Sequence, residues 1–176
     1  MPKRKRPVKV TELILGGLCH LIEQGEKPYS ELTIQDIVDE AGVCRNSFYR
    51  NYTTKDDIFQ KKLWELSTTD DSDRLSRTAD HFTFYDIFEG VAALMQINKR
   101  FFLCFYKADA RAYFDTITSK IIDSNTTRAI NTVSPEEYYT FACRAWIGIG
   151  VLTEWLKRDC DIPVNSLVEV LKKVSL

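Results

Sequence analysis

A chain of 176 residues with 44% hydrophobic and 28% charged side chains and a net charge of −1 is long enough to bury a core and has the make-up of an ordinary soluble globular protein. Its longest apolar runs, near Phe101 to Tyr106 and Ala145 to Leu152, fall far short of the roughly 20 residues that span a bilayer, so no membrane span is predicted. The opening MPKRKRPVKV is basic, but the apolar stretch behind it is interrupted by polar residues, which argues against a secretory signal and predicts a cytoplasmic protein.

The five cysteines (Cys19, Cys44, Cys104, Cys143, Cys160) form no C-x-x-C pair, and His20 and His81 stand apart from any ligand cluster. Isolated thiols in a reducing compartment are expected, with no metal and no cofactor. The net charge hides an asymmetry. Residues 1–62 hold 11 Lys and Arg against 9 Asp and Glu, which leaves 13 against 16 for the rest. Lys3, Arg4, Lys5 and Arg6 form a run, and Arg45, Arg50 and Lys55 fall within one short stretch.

In chain order, Val10, Leu13, Ile14, Leu18, Leu21 and Ile22 recur at helical spacing, and Gly25 with Pro28 ends that helix. Its Gly16-Gly17 pair weakens the helix by roughly 1 kcal/mol per glycine, so packing must hold it. Thr33 is placed to cap a second helix carrying Ile34, Ile37, Val38 and Ala41, and Gly42 stops it. Cys44 to Tyr52 is predicted as a third helix of about two turns, with Phe48 and Tyr52 on a buried stripe and Arg45, Asn46 and Arg50 elsewhere. Thr54 caps a fourth helix whose first turn holds Asp56 and Asp57, where the helix dipole favours acids.

Thr68 to Asp80 lacks periodicity and is predicted as a linker or frayed helix end. Helical spacing resumes at Phe84 to Met95, Phe101 to Tyr106 and Tyr113 to Ile122. Ser134-Pro135-Glu136-Glu137 is a capping box with proline at the first helical position. The helix it opens is apolar on two faces, one through Phe141, Ala145 and Ile149 and the other through Tyr139, Cys143, Ile147, Val151 and Trp155. A helix apolar nearly all round must be covered on both sides, and in a chain this small a second subunit is the natural cover. Pro163 opens a last helix with Leu167, Val168, Leu171 and Val174. The fold class is therefore all-α, with residues 1–54 as an N-terminal three-helix domain and 55–176 as a C-terminal helical bundle that dimerises. Ile147, Val151, Trp155, Leu167 and Leu171 are the predicted dimer contacts.

Two helices joined by a tight glycine turn have the geometry of a helix-turn-helix, whose second helix enters the major groove. A small bundle with a decorated solvent face fits the pattern equally well. The segment TIQDIVDEAGVCRNSFYRNYTTKDDIF closely resembles the DNA-binding part of the tetracycline-repressor (TetR) family of bacterial transcription regulators. The resemblance covers residues 8 to 66. Beyond them the chain agrees with the family only in being a helical domain of suitable length. Three positions depart from the family pattern: Val38 for alanine, Cys44 for a capping serine, and Asn46 for a common glycine.

The resemblance implies a homodimeric DNA-binding regulator, a repressor that grips a double-stranded operator. Thr33, Arg45, Asn46, Ser47, Tyr49, Arg50 and Lys55 are the expected DNA-binding residues. Tyr49 and Lys55 suit phosphate oxygens; Arg45, Asn46 and Arg50 suit base edges. Tyr49 as a half-buried core residue and Lys55 as a solvated lysine are the plainer readings, and the Lys3 to Arg6 run fits either a DNA-following arm or a solubilising tail. The family also implies a small-molecule effector held in the C-terminal domain, for which Phe84, Phe88, Phe105, Tyr113, Tyr139, Cys143 and Trp146 are candidates against a plain packed core. Other readings are a regulator switched by oxidation of Cys44, a helix-turn-helix module that has lost DNA binding, and an enzyme. The enzyme reading lacks a phosphate loop, a metal cluster and a recognisable nucleophile setting.

Overall fold

The computed structural model describes residues 9–67, 83–129 and 134–174, so the Lys3 to Arg6 run, the segment 68–80 and His81 lie outside the described residues. The described residues are helical throughout, joined by turns, with no strand among them. The chain divides into two compact units, Met1–Ser72 and Asp73–Leu176. The fourth helix thus belongs with the first unit, later than the predicted boundary at residue 54. Its apolar face explains why: Ile58, Phe59 and Leu63 are buried, and the Phe59 ring lies 5.8 Å from that of Tyr29.

The first unit holds α1 (Val10–Gln24), α2 (Ile34–Glu40), α3 (Arg45–Tyr49) and α4 (Asp56–Ser67). Helix α1 ends on Gly25, whose φ of 69° places it in the left-handed region that glycine enters without strain. Helix α2 begins with a capping box: the Asp36 amide donates to the Thr33 hydroxyl (3.1 Å), and the Thr33 amide donates to the Asp36 carboxylate (2.8 Å). The Thr33 hydroxyl and amide, both donating to the Asp36 carboxylate, and the Lys27 ammonium beside it hold that carboxyl down at about 2. Buried Ile14, Leu18, Ile37, Val38 and Phe48 form the centre of this unit. Helices α1 and α2 approach so closely at Gly17 that an added Cβ would lie 2.9 Å from the Ala41 nitrogen.

The second unit holds α5 (Phe84–Ile97), α6 (Lys99–Ala108), α7 (Ala110–Ala129), α8 (Pro135–Lys157) and α9 (Val164–Val174). Helix α8 opens with the predicted Ser134/Glu137 capping box, and α5 opens with an equivalent Thr83/Asp86 box. Tyr113 is fully buried and its ring meets Phe105 edge-on at 5.6 Å. Its hydroxyl lies 3.2 Å from that of Thr153, which donates to the Ile149 carbonyl (2.7 Å), so Tyr113 is the donor to Thr153. Burial pushes the Tyr113 phenol up to about 12. The turn between α8 and α9 is closed by the Trp155 indole N–H donating to the Ile162 carbonyl (2.8 Å).

Three predicted dimer contacts are corrected here. Trp155, Leu167 and Leu171 are 2%, 4% and 0% exposed within a single chain, so they already belong to its core and leave nothing for a partner to cover. Ile147 is exposed and Val151 half-buried.

Candidate nucleic-acid interface

The turn between α2 and α3 is built by backbone bonds that leave little freedom. Gly42 has a φ of 63°, its N–H donates to the Asp39 carbonyl (3.1 Å), and the Val43 N–H donates to the Val38 carbonyl (3.0 Å). These two bonds satisfy the last carbonyls of α2 and turn the chain sharply, which is the helix-ending motif that glycine makes possible. Helix α3 follows within two residues. It is shorter than the two turns expected, with five residues and no side-chain cap from Cys44, as befits a thiol, a weak hydrogen-bond acceptor. The Cys44 sulfur instead lies 3.1 Å from the Ser47 hydroxyl, and that hydroxyl with the neighbouring amides lowers the thiol's pKa.

Helix α3 is fixed from behind. Phe48 is 0% exposed, and Tyr52, just beyond the helix, is buried 5.5 Å from it. Burial pushes the Tyr52 phenol up to about 12, the Glu65 charge adding to it. With position 48 turned inward, helical spacing turns 46 and 50 away from it, while 45 and 49 lie at the edges of the buried stripe. Arg45, Asn46, Tyr49 and Arg50 are all exposed, Tyr49 by 50%, and Ser47 is half-buried. The Arg45 guanidinium donates to the Tyr49 hydroxyl (3.3 Å) and lies 5.7 Å from the centroid of its ring. An accepting phenol keeps its own proton, so Tyr49 remains able to donate outward. Arg50 has no partner among the described residues.

Thr33 is exposed at the start of α2, with its hydroxyl engaged by Asp36 on both sides: it accepts from the amide and donates to the carboxylate (2.7 Å). Lys55 lies just before α4, as expected, but its ammonium donates to the carbonyls of Tyr29 (2.6 Å), Ser30 (3.1 Å) and Leu32 (2.9 Å). Residues 9–67 carry seven Lys and Arg against ten Asp and Glu. Lys27 is paired with Asp36 (3.0 Å) and Lys62 with Glu65 (3.7 Å), which leaves the outer face of α3 with unneutralised arginines on an otherwise acidic unit.

The seven residues expected around an effector do not converge. Phe84 and Phe88, with Ile87, Val91, Ala145 and Gly148, line an apolar groove between α5 and α8 whose empty volume is about 220 Å³, open solvent included. Most of that is open solvent, and the space a ligand could fill is about that of one water, far below the roughly 300 Å³ at which drug-sized pockets begin. Phe105 and Tyr113 are core residues, whereas Tyr139, Cys143 and Trp146 are exposed on α8. The groove itself was not legible, because its narrowness comes from Gly148, where an added Cβ would meet the Phe88 ring at 3.2 Å. Among the described residues there is no cluster of three metal-ligating side chains and no helix long and apolar enough to cross a membrane.

A buried aromatic behind a short helix, a glycine turn before it and basic and amide side chains in front define a helix-turn-helix. Residues 23–61 match the model of the bacterial regulatory proteins of the tetR family, and residues 83–175 match that of a transcriptional regulator C-terminal region. The chain belongs to the TetR family of transcriptional regulators. The fold is similar to the crystal structure of a protein assigned to the TetR-family transcriptional regulators of Syntrophomonas wolfei, with a TM-score of 0.62 and 17% identity over 94% of this chain and 92% of that one. No curated protein matches the sequence significantly.

Proposed function

We propose that this chain is a repressor that binds an inverted-repeat operator as a homodimer, one α3 in each of two successive major grooves about 34 Å apart. The observation that carries the reading is the outward face of α3. Arg45 and Arg50 suit guanine edges, Asn46 suits adenine, and Tyr49 donates to a phosphate. The Arg45–Tyr49 contact holds both side chains in place before DNA arrives. Ser47 adds a hydroxyl at the edge of that surface, whereas Thr33, with its hydroxyl and amide both donated to Asp36, has no proton left for a phosphate.

With the folded unit acidic, the Lys3 to Arg6 run supplies much of the general attraction to phosphate, following the backbone beside the operator. The second copy covers α8, where Tyr139, Cys143, Trp146 and Ile147 are exposed at helical spacing and Gly150 has nothing within 4 Å of an added Cβ, so that another helix can approach closely. A small-molecule effector bound to the second unit would shift the dimer between DNA-competent and incompetent forms in proportion to its differential affinity.

The test is fluorescence anisotropy with a selected duplex. Tyr49→Phe removes one phosphate donor and weakens binding to all sequences alike. Arg50→Ala lowers affinity and relaxes base preference by about 1–3 kcal/mol at the position it reads. Unchanged affinity and preference in both variants would refute the assignment of this face.

A further inference from the structure

Lys55 stands where a lysine at a helix start would ordinarily face an anion, yet nothing around it is free to receive one. An ammonium has three protons, and all three are directed at carbonyl oxygens of the Tyr29–Leu32 turn. The same nitrogen lies 4.6 Å from the centroid of the Tyr29 ring, whose electron-rich face attracts cations. The Tyr29 hydroxyl in turn donates to the Asp56 carboxylate (2.5 Å).

The start of α4 is equally occupied. The Thr53 and Thr54 amides donate to the Asp57 carboxylate at 2.7 and 2.8 Å, and these bonds lower its pKa. Asp56 adds a second acid to the same turn. An incoming phosphate would meet the two carboxylates of that turn, Asp57 already holding the Thr53 and Thr54 amides.

We infer that Lys55 positions the recognition helix and does not contact DNA. This inference rests on the reading that α3 carries the DNA contacts. The Lys55 ammonium ties the turn that leads into α2 to the junction between α3 and α4, Thr53 to Asp56. Helix α3 is then held at both ends, by the Gly42 turn at its start and by the lysine clamp just beyond its end. The ammonium replaces the water that would otherwise solvate three converging carbonyls, a pyramidal acceptor set that a planar guanidinium cannot match.

The experiment uses the full chain with ¹⁵N-labelled lysine. In the free protein the Lys55 ammonium protons exchange slowly and stand apart from those of the other lysines, and addition of a short duplex of random sequence leaves that resonance in place. Lys55→Met binds the duplex severalfold more weakly at a temperature where its circular dichroism equals that of the wild type. The plot of log affinity against log salt keeps its slope, where the loss of one phosphate-contacting cation would lower it by about 0.9. Lys55→Arg keeps the charge and does not restore affinity.

A Lys55 resonance that shifts on DNA addition, or a Lys55→Met slope lowered by about 0.9 with recovery in Lys55→Arg, overturns the inference. If Lys55→Met fails to fold, the wild-type resonance decides. A wild-type chain that binds no duplex sinks the DNA reading, and with it this role. A slowly exchanging ammonium in the free protein distinguishes that result from failure of the clamp.

Discussion

The adjacent glycines of α1 should respond to the same substitution with opposite sign. An alanine methyl at Gly16 meets nothing within 4 Å. Gly16→Ala therefore gains only the helix propensity difference, about 1 kcal/mol. At Gly17 the methyl would lie 2.9 Å from the Ala41 nitrogen and 3.1 Å from both its Cα and Cβ. The obstacle is mostly backbone, so α1 and α2 must separate, at about 1–3 kcal/mol for overpacking of this kind.

The propensity gain is common to both variants and cancels, which makes the stability difference between them a direct reading of the clash, about 2 kcal/mol. For a unit of this size that separates the melting temperatures by roughly 10 °C. Urea unfolding followed through hydrogen exchange of the α1 and α2 amides reports on the unit concerned. In a double-mutant cycle, Ala41→Gly recovers only part of the loss, because the nearest atom is backbone. A Gly17→Ala protein as stable as Gly16→Ala would refute the close approach on which the placement of α2, and through it α3, depends.

Two further outcomes follow from the hydrogen bonds. Asp36 has a folded pKa of about 2, below its ordinary value of 3.8, so its contribution to stability is complete above about pH 4 and is lost as pH falls toward 2. Melting temperatures measured across that range should fall less steeply in Asp36→Asn, which is less stable above pH 4. In the second unit, Tyr113→Phe costs about 1 kcal/mol, since Thr153 keeps its bond to the Ile149 carbonyl, whereas Thr153→Val strands a buried phenol and costs about 2 kcal/mol. Denaturant midpoints of the two variants check the order.

The elements that could be read from sequence are those whose signals are local. The Thr33 and Ser134 caps, the Gly25 and Gly42 stops and the acidic start of α4 each act within four residues, and each helix end falls within a few residues of its signal. The Thr83/Asp86 box is equally local, in the spacing T-x-x-D, but stands beside the segment 68–80, whose lack of periodicity masks a helix start. Covering of apolar faces was not readable. Periodicity shows that α8 is apolar on two sides, but only the fold shows that its own chain takes Trp155 and leaves Trp146 exposed. Lys55 is the clearest case: its partners are three carbonyl oxygens more than 20 residues away in sequence, and carbonyls carry no side-chain signature.

Selection of bound duplexes from a random pool by the full chain tests most directly that the outer face of α3 reads DNA. The account predicts recovery of an inverted repeat whose half-sites are centred one helical turn, or a whole number of turns, apart, and loss of that enrichment in a protein carrying Asn46→Ala and Arg50→Ala. A pool with no enriched sequence, or the same repeat recovered by the doubly substituted protein, would contradict it.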